Sequence, residues 1–346
     1  MTENTRSLMK KLFSNKPGIV FFLVICFLFC QSFYFIHKIN RQESEIVNLK
    51  SYINNLEKKT EKSVRQNYVN AQSISWPVVF CGDTLYNDDP VIRASIEREF
   101  YALLGNQGQI QLYLKRTQKY FSMIERHLQE ASLPEDLKYL ATHESALLPG
   151  IRSKSHATGL WQFMFATGRH YKLRIDRVID ERLDPVKSTR AAVQFLTDLY
   201  KKYHSWPLVM AAYNGGAGRI DRTLRNQNSH NFVDLVLPEE TERYYFKIAA
   251  TKIILSQPER YGFYMEPDDY YQPENYIPVE HKVTKRRESL VNIALNYNLS
   301  LAQFRMANPS IKANDLAEGT YTLNIPQDYF VIVSSTSAAD DSCQID

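Results

Sequence analysis

The stretch LPEDLKYLATHESALLPGIRSKSHATGLWQFM, residues 133–164, decides the fold of the chain around it. It begins like a helix, because Pro134 suits a first helical position and two acidic residues follow in the first turn, near the positive end of the helix dipole. An apolar stripe at helical spacing then includes Leu137, Leu140 and Ala141. The next position on this stripe is Glu144, a carboxylate where the pattern requires an apolar side chain.

Glu144 therefore has two interpretations. If it faces a core or a cleft, its carboxyl group is partly desolvated, which raises the pKa and prepares the group to act as a general acid near neutral pH. If it turns to the rim or joins an ion pair, its role is structural. Spacing alone favours the structural interpretation.

Length and composition limit the class of protein. The 346 residues exceed the usual size of one small domain, so we expect two folded units with attached segments. The formal net charge is only +4 and the basic residues are scattered, so we predict no nucleic-acid partner. The four cysteines form no short-spaced framework, and a disulfide between Cys81 and Cys343 is left open.

The first residues predict a membrane anchor. Residues 1–16 contain four basic residues and one acid, Glu3. Residues 17–36 carry no charge, and a helix of that length spans about 30 Å, enough for a bilayer core. A removed signal peptide and a buried soluble helix are the alternatives, but no small-x-small cleavage site occurs. We predict an uncleaved single-pass anchor over residues 17–37, with the basic end cytoplasmic and the rest exported.

Residues 38–74 predict a helical stalk or linker. A seam of two coiled-coil heptads is formed by Ile46, Leu49, Ile53 and Leu56. A seam this short predicts at most weak self-association through residues 46–56. A solvated spacer is the alternative.

Residues 75–265 predict an α-helical domain built around one cleft. Apolar residues recur at spacings of three and four from about residue 90 to 256, without convincing alternating strands. Asp184 and Pro185 begin one helix, and Asn214 with the two glycines after it ends another.

The pattern changes after this domain. Residues 266–278 are rich in Tyr, Pro and acidic residues and predict a linker or an irregular packing segment. Residues 279–327 predict a small β-α-α-β module, and residues 328–346 form a tail. The expected fold class is therefore mainly α, with an N-terminal transmembrane helix and a small mixed module at the C-terminal end.

Spacing excludes several catalytic arrangements. His143 and Glu144 begin like the zinc motif HExxH, but Leu147 stands where the second His belongs, so we predict no metal site and no cofactor. Ser145 lies beside His143 without a nucleophile elbow. Candidates for a second glycosidase carboxylate are Asp180, Glu181 and Asp184. For each of these, helix capping or an ion pair with a neighbouring arginine is the favoured explanation.

Six motifs occur along the chain in a fixed order: THES at 142–145, GLWQFM at 159–164, TGR at 167–169, DERLDP at 180–185, AAYNGG at 211–216 and LPEETERYY at 237–245. Together they resemble the lytic transglycosylases of the membrane-bound type D group, which share a goose-lysozyme-like fold. The resemblance covers roughly residues 75–265. The segments HKV, RESLVNIALNYNLS, ANP and LNIP of the C-terminal module are similar to a single LysM domain, a unit that binds N-acetylglucosamine-containing glycans.

This resemblance implies a catalytic role for Glu144. It would protonate the glycosidic oxygen between N-acetylmuramic acid and N-acetylglucosamine in peptidoglycan, and then act as base on the muramoyl C6 hydroxyl to give a 1,6-anhydro product. One desolvated carboxyl group can serve both steps, since an internal hydroxyl needs no second carboxylate to activate water. The alternatives are a hydrolytic muramidase and a non-catalytic peptidoglycan-binding scaffold.

The resemblance also implies substrate contacts and a location. Gln162 and Asn214 would hydrogen-bond the glycan strand, Tyr213 would line the cleft, and Tyr244 would place its hydroxyl near Glu144. Ser145 would contact the substrate or support Glu144. For the two tyrosines core packing is an alternative, as helix ending is for Asn214. The protein would lie in the inner (cytoplasmic) membrane with its catalytic domain facing the periplasm.

Four residues depart from the pattern of these families. Phe165 replaces a usual Pro, and His156 and Lys172 stand where Gly is common. In the C-terminal module, Arg287 replaces the Gly of the usual turn. The first three change loops near the cleft and leave the candidate catalytic residue in place, whereas Arg287 weakens the expectation that the module binds glycan.

Overall fold

The computed structural model describes residues 6–7, 10, 16–67, 74–86 and 88–327. The chain divides into two units, Met1–Tyr68 and Val69–Asp346. Cys343 and the predicted tail at 328–346 lie outside the described residues.

The first unit is dominated by one long helix, α1 (Lys16–Asn67). Within it, Val20–Thr60 contains an 18-residue window of mean hydropathy 2.1, so the helix is long and apolar enough to cross a membrane by length and composition. The predicted anchor and residues 38–67 of the predicted stalk therefore lie in one continuous helix, and residues 68–73 lie outside the described residues. The four residues of the predicted seam are all exposed in the single chain.

The second unit opens with a short hairpin and continues through helices. Strands β1 (Val78–Phe80) and β2 (Asp83–Leu85) pair antiparallel. The helices that follow are α2 (Pro90–Leu104), α3 (Gln107–Glu130), α4 (Lys138–Ser145), α5 (Phe165–His170), α6 (Pro185–Tyr203), α7 (Trp206–Gly215), α8 (Ala217–Gln227) and α9 (Glu239–Ser256). Short 3-10 turns lie at Glu135–Leu137, Glu181–Leu183, Phe232–Asp234, Pro258–Tyr261 and Pro267–Asp269. The predicted mainly α fold is confirmed.

The central helix of this unit is α9, which packs against α2, α4 and α7. It is buried on several sides, including at Tyr244, Tyr245, Phe246 and Ile248. Because α4 and α7 both contact α9, residues from three distant parts of the sequence are brought to one place. That place is the candidate site.

The C-terminal module is β3 (Tyr276–Ser289), α10 (Leu290–Asn296), α11 (Leu301–Ala307) and β4 (Asp315–Pro326), the predicted β-α-α-β order. Strands β3 and β4 pair antiparallel, with a register shift between Val283 and Arg287. Strand β3 begins at Tyr276, before the expected start of the module at residue 279, and continues to Ser289. Its end is set locally, because the Ser289 hydroxyl accepts from the Val291 amide and so starts α10 only after that residue.

The segment between the helical domain and the C-terminal module packs on α3. The Tyr271 amide donates to the Lys115 carbonyl at 2.7 Å, and the Lys115 ammonium donates to the Asp269 carbonyl at 2.9 Å. Lys119 forms an ion pair with Glu274 in the same region. These contacts place residues 266–275 along the helical surface, as expected of a packing segment.

Candidate active site

Helix α4 presents Glu144 at the end of its buried face. Leu137, Leu140 and Ala141, the predicted stripe, are fully buried. The chain then leaves the helix through two left-handed residues, Ala146 (φ 53°) and Leu147 (φ 56°). The Arg116 guanidinium donates to the Ala146 carbonyl at 2.9 Å, which ties this turn to α3. The backbone next to Glu144 is therefore fixed, and Glu144 lies directly after the buried stripe.

Glu144 has the electrostatics of a general acid. Burial raises its pKa from 4.5 to about 7, and the neighbouring charge of Glu240 acts in the same direction. The Tyr244 hydroxyl donates a hydrogen bond to Glu144 Oε1, which lowers the pKa and so opposes part of this effect. Near neutral pH the group thus populates both protonation states, which acid and base chemistry at one carboxyl group requires.

His143 is a neutral neighbour of this site. Burial, reinforced by the charge of Lys247, lowers its pKa to about 4. Its ring meets the Tyr244 ring edge to face, with centroids 5.4 Å apart. At neutral pH His143 therefore adds no positive charge beside Glu144, and it packs against the tyrosine that holds the carboxyl group.

Tyr213 contacts the residue that directly precedes Gln162. The Tyr213 hydroxyl donates to the Trp161 carbonyl at 2.7 Å, and its ring stacks on Phe195. Burial and the nearby charge of Glu144 raise the pKa of Tyr213 well above its ordinary value. Gln162 occupies a left-handed conformation (φ 46°), and its side-chain amide donates to the Gly159 carbonyl at 2.8 Å.

Asn214 and Ser145 are held by neighbours within the protein. The Thr241 hydroxyl donates to Asn214 Oδ1 at 2.9 Å, and Asn214 Nδ2 donates to Glu240 at 3.4 Å. Ser145 is only 2% exposed, and its hydroxyl donates to the Ala141 carbonyl at 3.1 Å. This geometry favours support of the helix end over direct substrate contact for Ser145.

Parts of the chain are similar to known proteins. The sequence profile of the transglycosylase SLT domain matches residues 121–235. Over 254 residues it is 29% identical to membrane-bound lytic murein transglycosylase D of Escherichia coli strain K12, a match that covers 72% of this chain and 55% of the relative. The chain thus spans about half the length of that relative.

Shorter matches occur to two other proteins. The chain is 37% identical over 86 residues to peptidoglycan transglycosylase gp16 of Escherichia phage T7, covering 24% of this chain and 6% of the relative. Among solved structures it is similar to the 70 kDa soluble lytic transglycosylase of Escherichia coli, with a TM-score of 0.35, 20% identity and coverage of 44% of this chain and 27% of that chain.

The matched SLT domain contains Glu144, Ser145, Gln162, Tyr213 and Asn214, whereas Tyr244 lies beyond it on α9. The side chain of Tyr244 nevertheless touches Glu144 directly. Helix α9 therefore belongs to the candidate site, although it lies outside the matched residues.

The three acidic residues considered as a second catalytic carboxylate each have a structural partner. Asp180 forms a buried ion pair with Arg182, and Glu181 pairs with Lys187. Asp184 caps α6 by accepting from the Val186 and Lys187 amides. Within the described ranges, no three His, Cys, Asp or Glu side chains come together as a metal site would require.

Sequence reasoning missed Glu240 beside the SLT domain. It lies one turn before Tyr244 on α9, so the two share a helix face. The i, i+4 spacing inside the motif LPEETERYY was the available signal. His143 was considered only as a metal ligand, and its role as a partly buried, neutral neighbour depends on packing against Tyr244 that spacing alone does not specify.

Proposed function

We propose that this protein is a peptidoglycan lytic transglycosylase that cleaves the β-1,4 bond between N-acetylmuramic acid and N-acetylglucosamine and leaves 1,6-anhydro-muramoyl ends. The observation that carries the proposal is the carboxyl group of Glu144, with a pKa of about 7 and a hydrogen bond from the Tyr244 hydroxyl. The names of the relatives support the substrate class.

The proposed reaction uses Glu144 twice. Protonated Glu144 donates its proton to the glycosidic oxygen while the bond from that oxygen to muramoyl C1 breaks. The resulting carboxylate then accepts the proton of the muramoyl C6 hydroxyl as O6 bonds to C1. The proton lost in the first step returns in the second, no water is consumed, and the intramolecular attack has the entropic advantage of proximity.

Neighbouring side chains have proposed roles in binding. Gln162 and Asn214 hydrogen-bond the glycan, Tyr213 lines the cleft, and the Tyr244 hydroxyl orients the carboxyl group. Ser145 supports the end of α4. No metal or cofactor takes part in either proposed step.

Glu240 gives the hydrolytic alternative a specific candidate base. In a muramidase, a second carboxylate activates water, and Glu240 is an exposed carboxylate whose charge acts on Glu144. The substitution Glu240→Gln separates the two reactions. We expect the variant to keep producing anhydro ends, and the alkaline limb of its pH profile to move to lower pH, because a charge that raises the pKa of Glu144 is gone. Loss of turnover in this variant, with reducing ends in the wild type, would support the muramidase.

Mass spectrometry of digested sacculi is the direct test. The proposal expects 1,6-anhydro-muramoyl ends from the wild type and none from Glu144→Gln, whose shape is preserved while its proton is lost. Reducing muramic acid ends would contradict the lyase reaction. Unchanged cleavage by Glu144→Gln would contradict the assigned residue, and absence of any cleavage by the wild type would favour a binding scaffold.

We also propose that α1 anchors the protein in the inner membrane, with residues 74–327 in the periplasm. Support comes from the apolar span within α1 and from the printed name of the Escherichia coli relative, which is membrane-bound. Glycan binding by the LysM-like module and weak self-association through residues 46–56 stay predictions. Arg287, where a Gly was expected, lies exposed in β3 opposite Ala317.

A further inference from the structure

Arg182 is a buried arginine whose guanidinium donates four hydrogen bonds, although the proposed reaction assigns it no role. Only 3% of it is exposed. Its Nε and Nη2 donate to the two carboxylate oxygens of Asp180 at 2.9 and 2.8 Å. Its Nη1 donates to the carbonyls of His156 and Phe163 at 3.2 and 3.0 Å. One side chain thus joins the DERLDP motif to the GLWQFM motif.

A tight turn is formed by residues 158–163, which we call the substrate turn. Arg182 binds the carbonyl of His156, just before this turn, and that of Phe163, its last residue. Thr158 and Phe163 exchange backbone hydrogen bonds at 3.1 Å, and Gln162 lies between them in its left-handed conformation. Gly159 (φ +88°) packs so close that a Cβ there would lie 1.8 Å from the Arg182 carbonyl oxygen. The conformation of Gln162 therefore depends on how the substrate turn packs against Arg182.

The C-terminal module reaches the same arginine through Asp180. The Asp180 amide donates to the Ser310 carbonyl at 2.8 Å. The Lys312 ammonium donates to the Asp176 carbonyl at 2.7 Å and lies 3.8 Å from Asp180 Oδ2. Ile179, between them, is 7% exposed and belongs to the hydrophobic core of the module.

The charges at this junction stabilise the arrangement. Burial raises the pKa of Asp180, but hydrogen bonds and charge from Arg182, with the charge of Lys312, outweigh it and hold the pKa below its ordinary value. A buried pair of this kind is strongly destabilised when one partner is removed, because the other charge is left uncompensated. Arg182 is thus held by Asp180, which itself contacts the C-terminal module, and its guanidinium also binds the substrate turn.

We propose that Arg182 is a positioning residue that fixes the substrate turn for glycan binding, and that the C-terminal module holds Arg182 in place through Asp180. This rests on the proposed function, because the turn matters only if Gln162 meets a glycan. The module is then part of the catalytic unit, whether or not it binds glycan itself.

Two substitutions in the full chain, purified in detergent, test the two halves of the proposal. Arg182→Lys keeps a positive charge beside Asp180 but loses the fork that reaches the carbonyls. Its matched control is Arg93→Lys, which alters an exposed arginine-carboxylate pair. Lys312→Ala acts from the module side, and its control is the exposed Lys285→Ala in the same module.

The first readout is hydrogen exchange of peptides covering residues 151–164, measured by mass spectrometry. We expect faster exchange there in Arg182→Lys and Lys312→Ala, and wild-type exchange in both controls. The second is binding of a tetrasaccharide of alternating N-acetylglucosamine and N-acetylmuramic acid in a Glu144→Gln background. Here we expect Kd to rise about tenfold for Arg182→Lys and about threefold for Lys312→Ala, equivalent to about 1.4 and 0.7 kcal/mol.

In the active protein, KM should rise by similar factors while the pH midpoint of kcat is unchanged, because Glu144 is untouched. Unchanged exchange at 151–164, or a lower Tm with unchanged Kd and KM, would overturn the positioning role. If Arg182→Lys does not fold, Lys312→Ala alone decides between these outcomes. If Glu144→Gln protein with native Arg182 binds no tetrasaccharide, the proposed function fails, and the exchange data still decide whether Arg182 and the module order the turn.

Discussion

At the scale of single residues, the pKa of Glu144 is a balance between burial and one hydrogen bond. Tyr244→Phe removes the hydrogen bond and leaves burial and Glu240 unopposed, so the pKa of Glu144 should rise. A hydrogen bond to a charged group contributes roughly 1.5 kcal/mol or more, so we expect the alkaline limb of the activity profile to move up by about one pH unit. The maximal rate should fall, because the carboxyl group loses its orientation.

The measurement is kcat/KM for release of anhydro ends between pH 5 and 9. A Tyr213→Phe variant is the control, because the Tyr213 hydroxyl donates to the Trp161 carbonyl and not to Glu144. An alkaline limb that stays in place, or moves down, in Tyr244→Phe would mean that the hydroxyl does not stabilise the Glu144 carboxylate.

Glu144 should lower the free energy of unfolding above neutral pH. Glu144 binds its proton more tightly in the folded chain, with a pKa of about 7, than in the unfolded chain, near 4.5. The stability linked to that proton is complete below pH 4.5 and is lost as the pH rises through 7. The difference corresponds to about 3 kcal/mol. We therefore expect Glu144→Gln to unfold at a higher temperature than the wild type at pH 8, and at a similar temperature at pH 4.

Calorimetry of the two proteins over this range checks the prediction. His143, whose pKa is lowered, also makes stability depend on pH, but it loses stability as the pH falls from 6.5 towards 4. Because both proteins contain His143, this effect cancels in their difference. A stability difference that does not grow with pH would show that the carboxyl group is not desolvated.

At the scale of elements, Asp184 caps helix α6, and substitutions can distinguish this role from a role in catalysis. Its carboxylate accepts from two amides at the start of α6, at 3.0 and 2.9 Å. We expect Asp184→Ala to cost about 1 kcal/mol, and Asp184→Asn, which keeps a capping oxygen, to cost little. Both should retain full turnover, measured by release of anhydro ends.

Asp89 provides the matched control, since it caps α2 in the same way. The pairs Asp89→Ala with Asp184→Ala and Asp89→Asn with Asp184→Asn should change Tm alike. If Asp184→Asn lost turnover while keeping its Tm, Asp184 would be a second catalytic carboxylate and the one-carboxyl mechanism would be wrong.

The elements themselves were largely predictable because their signals are local. Helix α6 follows from its Asp184 cap and apolar spacing. Helix α7 ends at Gly215 with Gly216 (φ 87°) as its C-cap, within the predicted signal of Asn214 and two glycines. His156 and Lys172 occupy left-handed positions, which explains why Gly is common there. The length of β3 was missed, because its start depends on pairing with β4 and its end on the Ser289 cap that begins α10.

At the scale of the whole molecule, the missing information was long-range. Sequence placed Glu144 on an apolar stripe, but only the packing of α4 against α9 brings Tyr244 and Glu240 to it. In the same way, Ile179 reads as part of a loop and yet completes the core of the C-terminal module. Neither contact leaves a periodic signal, because each joins residues more than ninety positions apart.

Membrane attachment through α1 is also a property of the whole molecule. If α1 spans a bilayer, the full chain should remain in the membrane pellet after alkaline carbonate extraction. Leu23 and Leu28 lie in its apolar part, where an arginine costs about 3 kcal/mol on insertion, so Leu23→Arg with Leu28→Arg should release the protein. Leu49→Arg is the control, because Leu49 is as exposed on α1 (59%, against 60% for Leu23) but lies among charged residues. That variant should stay in the pellet. Release of intact wild-type chain would contradict the anchor, and a mature protein lacking the apolar segment would identify it as a signal peptide.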